Sequence, residues 1–148
     1  RAFVYGSLLA PEVLAALLLR EPPSRPAAVL GFSRHALQGR VYPGMVPAAA
    51  AAGAGATAAA ALEGKLLHGL SDHEMWILDE FEGDEYCKEE VQVLLGPGPE
   101  APSVPAKAYV YTESAELLGG PWSYDAFREA HLLEYVAMCR EFRRELLA

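Results

Sequence analysis

Two short segments carry residue types that could do chemistry together. Phe3-Val4-Tyr5-Gly6-Ser7-Leu8 is a β-type run broken by a glycine, and Leu78-Asp79-Glu80-Phe81-Glu82-Gly83 places carboxylates where a helix should stop. A strand that turns at Gly6 and runs into a helix presents successive backbone N–H groups at one bend. Such a nest binds carboxylate or phosphate oxygens, and a glycine without Cβ lets a ligand come close to the chain. The competing reading of the same residues is a plain strand-to-helix turn. The glycine spacing of a P-loop or a dinucleotide fold is absent, so a nucleotide is not the expected ligand.

Five acids lie between positions 79 and 85: Asp79, Glu80, Glu82, Asp84 and Glu85. Like charges raise one another's pKa. The carbonyls of a helix C-terminus also disfavour a carboxylate, and the inner side of Phe81 would desolvate one. All three effects push toward the raised pKa that a general base near neutrality needs. Glu80 and Asp84 read as a solvated helix end. For Glu82 the residues alone leave base and solvated end equally open.

Other candidates are poorer. His35 and His68 stand alone in strand-like segments, His73 falls in a helix's first turn, and His131 falls on the apolar stripe of the last helix. No pair has metal-ligand spacing, so each is expected to be structural. Ser7 lacks the flanking glycines of a nucleophile elbow. Cys87 and Cys139 form no redox or metal pattern and suit a reducing compartment.

The elements that must position these residues follow from periodicity and punctuation. Residues 2–5 read as a short buried strand ended by Gly6. Pro11 opens a helix at a first-turn position, with Val13, Leu14, Leu17 and Leu18 on its apolar face. Residues 21–26 read as a stiff proline-rich linker, 29–36 and 37–42 as extended segments, and Pro43-Gly44 as a turn. Residues 48–61 hold eleven alanines, two glycines and one threonine and read mainly as an elongated loop. Residues 62–70 read as a strand. Ser71 and Glu74 then form a capping-box pattern, flanked by Leu70 and Met75 in hydrophobic-staple positions. Gly83 is the expected left-handed stop of that helix. Residues 86–95 alternate as a strand, 95–105 are a proline-interrupted loop, and 107–112 alternate again. The tail is helical: Tyr124, Phe127, His131, Tyr135, Met138, Phe142 and Leu146 recur at steps of three and four, with Ser123 as N-cap. Five or six strands with three helices, not strictly alternating, give an α+β class.

Composition bounds the rest. The 148 residues suffice for one domain with a real core. The 52% hydrophobic content indicates a folded chain, and the net charge of −8 argues against nucleic acid or an anionic membrane as partner. No run is apolar and long enough to span a bilayer, and no signal peptide is visible, so a cytoplasmic location is expected. The chain opens at Arg1, directly before a strand, so an upstream segment is expected.

The order of these motifs resembles the γ-glutamylcyclotransferase-like family, most closely its plant avirulence-induced-gene-2-like branch. The pieces that carry the resemblance are the 3–8 segment, Gly39-Arg40-Val41-Tyr42-Pro43, the 78–83 segment with Glu85-Tyr86, and Ala108-Tyr109-Val110-Tyr111. The tail adds Gly120-Pro121-Trp122-Ser123 running into a helix with Phe127 and His131. The resemblance covers nearly the whole chain. It implies one domain over 1–148, with 48–61 as a local Ala-rich loop and 122–148 as a C-terminal helical extension that covers or narrows the site. It implies a small, mostly antiparallel β-barrel flanked by helices.

It also implies an activity. A γ-glutamyl amide is cut by attack of its own α-amine on the γ-carbonyl, releasing an amine or amino acid and 5-oxoproline. The family's catalytic glutamate maps onto Glu82. Its γ-glutamyl-binding loop maps onto Tyr5, Gly6, Ser7 and Leu8, with Leu9 and Ala10 at its edge, and Arg40 and Tyr42 are placed at the mouth by motif position. Leu9-Ala10 stands where some relatives carry polar residues. No cofactor or metal is expected. The expected partner is a small γ-glutamyl compound, and the expected state is a monomer or weak homo-oligomer. The alternative is a non-catalytic small-molecule-binding or interaction protein in plant stress or defence.

Overall fold

The computed structural model describes residues 1–48, 61–96 and 100–148. Five strands close a barrel in the order β1-β5-β2-β6-β7: β1 (Ala2–Val4), β2 (Ser24–Leu30), β5 (Ala61–Leu67), β6 (Tyr86–Leu94) and β7 (Ser103–Tyr111). All neighbours run antiparallel except β1 and β7, whose parallel contact at Ala2 and Lys107 closes the ring. A two-stranded sheet, β3 (Phe32–Ala36) with β4 (Pro43–Pro47), lies outside it. Three helices flank the barrel: α1 (Pro11–Leu18), α2 (Asp72–Glu82) and α3 (Tyr124–Leu146). The α+β barrel expected from the sequence is therefore present. Among the described residues no helix is long and apolar enough to cross a membrane.

Pro43 and Pro47 bound β4, and two further prolines lie in strand interiors, contrary to expectation. The proline-rich linker is shorter than read, because β2 already starts at Ser24 and includes Pro26, and β7 starts at Ser103 and includes Pro105. Each has a ladder on one side only: β2 meets β6 at Ala28 alone, and β7 meets β1 at Lys107 alone. A strand tolerates proline at such a free edge. Pro43-Gly44 is not a turn either. Both residues pair with β3, and the chain turns instead at residues 38–39. Of the Ala-rich stretch, Ala48 is buried and Ala61 opens β5; 49–60 lie outside the described residues.

Helix α2 starts as its sequence dictates. Ser71 Oγ accepts from the Glu74 amide at 3.0 Å, and Glu74 Oε1 accepts from the Ser71 amide at 2.9 Å. Substituting Ser71 with Ala is expected to cost about 1 kcal/mol, read as a lower urea midpoint at unchanged slope. An unchanged midpoint would contradict the role of the cap. At the other end Gly83 adopts φ 70° and ψ −156°. That is positive φ but not the left-handed helical conformation expected, and it is a region essentially restricted to glycine.

Two cores meet across β1. One fills the barrel with Phe3, Val29, Met45, Leu66, Val93 and Val110. The other packs the helices on the barrel wall through Leu14, Leu17, Leu67, Ile77, Leu78 and Phe127. Helix α3 is fastened to α1 at both ends. Arg128 makes a bidentate pair with Glu12 at 2.8 and 2.5 Å, and Arg143 Nη1 donates to the Leu17 carbonyl at 2.8 Å. Its buried stripe is Phe127, Tyr135, Val136 and Cys139. His131 lies between Phe127 and Tyr135 on the same face, as its spacing predicts, but is exposed there.

Candidate functional site

A cavity of about 240 Å³ opens where the two cores meet. One wall is the end of β1 and the turn that follows it. Tyr5, Gly6, Ser7 and Leu8 all line it. The turn is a single 3₁₀ loop over Ser7–Leu9. Its own hydrogen bonds use the amides of Leu9 (to Gly6 O, 2.9 Å) and Ala10 (to Ser7 O, 3.1 Å). Among the described residues the amides of Gly6, Ser7 and Leu8 have no such acceptor. Three successive free donors therefore lie on a turn that lines a small cavity, the arrangement of an anion nest. Ser7 is buried, and its hydroxyl shares a 3.0 Å hydrogen bond with the Tyr135 hydroxyl.

Gly6 is required by packing. A Cβ there would sit 2.8 Å from Cγ and Cδ of Pro43, which forms the facing wall. Gly6→Ala is expected to push the two walls apart and to destabilise the fold by about 1–3 kcal/mol. The check is a thermal melt beside a ligand titration, and an unchanged melting temperature would contradict the close approach.

The opposite wall holds the acidic segment, and the structure sorts its five acids. Glu80 and Asp84 are exposed. Asp79 is tied to the Tyr109 hydroxyl at 2.7 Å and to Lys88 at 2.8 Å. Glu85 accepts from the Tyr42 hydroxyl and lies 3.3 Å from Arg40 Nε. Glu82, the last residue of α2, lines the cavity, and among the described residues its carboxylate has no hydrogen-bond or ion-pair partner. Its surroundings are aromatic. Phe81, Tyr86, Tyr109 and Tyr135 share the cavity wall with it, but the phenol protons of Tyr86 and Tyr109 are spent elsewhere. Tyr86 donates to Pro43 O at 2.7 Å, and Tyr109 to Asp79. Desolvation, with Glu85's charge second, raises the Glu82 pKa from 4.5 to about 8.

Burial also raises the phenols of Tyr86, Tyr109 and Tyr135 well above the ordinary value and that of Tyr42 to about 12, so all stay neutral. Among the described residues of the cavity wall, Glu82 combines an unpaired carboxylate with a pKa raised toward neutrality, so it can exchange a proton.

The structure brings together Tyr5, Gly6, Ser7, Leu8, Tyr42 and Glu82. Leu9, Ala10 and Arg40 do not line the cavity. Leu9 and Ala10 are buried and close the turn, and the exposed Arg40 touches the site from outside, through Glu85 and Tyr42. Tyr86, Tyr109, Tyr135, Met138 and Phe142 line it without having been singled out. The available signal was a tyrosine in an otherwise apolar helical stripe, whose hydroxyl must find a partner inside. Helix α3 contributes three of these side chains, so the tail forms part of the cavity wall. The histidines lie elsewhere: His35 is buried on Ser33 Oγ (2.7 Å) and Gly119 O (3.0 Å), and the exposed His73 stacks on Trp76. Among the described residues no group of three or more His, Cys, Asp or Glu could hold a metal.

The chain is similar to known proteins over nearly its whole length. The family model described as Gamma-glutamyl cyclotransferase, AIG2-like, matches residues 2–124. AIG2-like protein D of Arabidopsis thaliana is 37% identical over 145 residues, covering 97% of this chain and 89% of that protein. AIG2-like protein C of the same plant is 36% identical over 140 residues, covering 95% and 76%. A solution structure of an Arabidopsis thaliana protein superposes with a TM-score of 0.65 at 27% identity, over 93% of this chain and 85% of that one. A crystal structure of a yeast gamma-glutamyl cyclotransferase specific to glutathione superposes with a TM-score of 0.57 over 97% and 95%. At 14% identity it bears on the fold alone.

Proposed function

The chain belongs to the Gamma-glutamyl cyclotransferase, AIG2-like family, and from that premise we propose that it cyclises a γ-glutamyl compound to 5-oxoproline with release of an amine or amino acid. The observation that carries this reading is an unpaired carboxylate, Glu82, held near neutrality across a small cavity from three free backbone amides.

The chemistry follows from that pairing. A substrate α-ammonium cannot attack until it loses a proton, and the Glu82 carboxylate takes it. The freed amine attacks the γ-carbonyl carbon of the same molecule, forming the ring C–N bond and placing negative charge on the carbonyl oxygen. Amides from Gly6, Ser7 and Leu8 are positioned for that charge or for the substrate's α-carboxylate. Collapse breaks the γ-carbon–nitrogen bond as Glu82 passes its proton to the leaving nitrogen; the restored carboxylate then takes the second proton from the ring nitrogen and hands it to the released amine, which leaves as an ammonium. Nucleophile and electrophile share one molecule, so the protein's main contribution is to hold the curled conformer. The walls are largely aromatic, and a bound ammonium draws the Glu82 pKa down toward the working pH.

The test is a panel of γ-glutamyl amino acids, γ-glutamyl-ε-lysine and glutathione, with 5-oxoproline and the released amine followed by mass spectrometry. Equal amounts of both products from at least one compound are expected. No product from any of them with folded protein would favour a binding protein that uses the same cavity without turnover.

A further inference from the structure

Arg34 occupies an unusual position for an arginine. It stands on β3, outside the barrel, yet its side chain runs inward to the loop beyond β1, where Nη1 donates to the Tyr5 carbonyl at 2.8 Å. The guanidinium lies over the Trp122 ring, 5.4 Å from its centroid. Trp122 is itself fixed by a 2.9 Å bond from its indole N–H to the Val41 carbonyl. Among the described residues no carboxylate pairs with Arg34; Glu63 attracts it without touching. Desolvation lowers its pKa, so the placement costs free energy. A half-buried cation that uses its charge on one backbone carbonyl and one indole needs a reason beyond surface solubility.

The peptide plane supplies one. In a trans peptide the C=O and the following N–H point in opposite directions. Arg34 does not line the cavity, whereas Tyr5 and Gly6 do. With the Tyr5 carbonyl turned out to Arg34, the Gly6 N–H is turned the other way, into the cavity. A cation on the carbonyl also polarises the peptide and strengthens that N–H as a donor. Lys65 holds the far end of the same loop, through the Leu9 carbonyl at 3.2 Å.

We infer that Arg34 is a positioning residue for the anion nest: by gripping the Tyr5 carbonyl from behind it aims and polarises the Gly6 amide toward the substrate's carboxylate or developing oxyanion. This rests on the cyclotransferase reading of the loop. It predicts that anion binding depends on a side chain that touches no ligand.

The experiment titrates the ¹⁵N-labelled full chain with glutarate and follows the Gly6 amide resonance. In the wild type that resonance is expected to move downfield and saturate. R34M is expected to weaken glutarate binding by about tenfold, the scale of a lost charged hydrogen bond, and to shift the free Gly6 amide upfield. R34K still donates to the carbonyl and is expected to stay within about threefold of the wild type. R34Q, polar and closer in shape, replaces R34M where R34M does not fold. Wild-type affinity in the folded neutral variant, with an unmoved Gly6 amide, overturns the role of Arg34 and leaves the cyclotransferase reading intact. A wild-type protein whose Gly6 amide ignores glutarate and which releases no 5-oxoproline overturns the loop reading, and this inference with it.

Discussion

Glu82→Gln is expected to reduce 5-oxoproline release by at least about 100-fold, the scale of a general-base contribution. Glutamine keeps the volume and the polar tip but cannot accept the ammonium proton. The cavity offers no substitute. Asp79 is bound by Tyr109 and Lys88, Glu85 by Tyr42 and Arg40, and the phenols are locked neutral. Substrate binding is expected to change less than turnover, because the nest amides do not depend on residue 82. Steady-state kinetics on the wild type and the variant check this. Turnover within tenfold of the parent would contradict the assigned role.

The same substitution is expected to stabilise the protein, and only at higher pH. The Glu82 carboxyl titrates at about 8 in the folded chain, against the ordinary 4.5. Between those values the folded state holds a proton that the unfolded state has lost. The contribution of this group to stability is therefore fully present below about pH 4.5 and is lost as pH rises through about 8. Glutamine does not titrate, so the variant escapes that loss. Its advantage over the wild type is expected to be absent at pH 4.5, to open from about pH 5 upward, and to level off above pH 8 at a few kcal/mol. Glu12 and Glu74, lowered to about 2 by Arg128 and Arg20, lose stability in acid instead and cancel in the comparison. Urea melts of both proteins at pH 5 and pH 9 read the difference directly. An advantage equal at both pH values would point to packing rather than charge. The expected outcome is a stability–activity trade-off at a single residue.

How far the sequence carries the account depends on how local each feature is. The capping box at Ser71 and Glu74, the proline at the head of α1 and the Ser123 cap are decided within one helical turn, and all three stand as read. The strands fail to read through at Pro26 and Pro105. Whether a proline is tolerated there depends on which neighbour the strand lacks, and that is a property of barrel closure. The parallel seam between β1 and β7 joins residues 105 positions apart and leaves no local trace. His131 shows the same limit: a step of four keeps it on the stripe, but nothing local says that it is left exposed there.

The site divides in the same way. Glu82 and the 5–8 loop sit at the ends of elements whose boundaries are marked by Gly6 and Gly83, so their positions could be anticipated. The sorting of the five acids could not, because it depends on Lys88, Tyr109, Tyr42 and Arg40 arriving from other strands and loops. Arg34 is the clearest case. Nothing in Phe32-Ser33-Arg34-His35 signals a contact with Tyr5, which only the outer sheet makes.

The central claim is that folding holds one unpaired carboxyl near neutrality opposite free amides. The most direct measurement is the titration of that carboxyl by ¹³C NMR in protein labelled at the glutamate side-chain carboxyl. The account predicts one glutamate resonance with a midpoint of about 8, absent from Glu82→Gln. A spectrum in which no glutamate titrates above the ordinary value of 4.5 would contradict it.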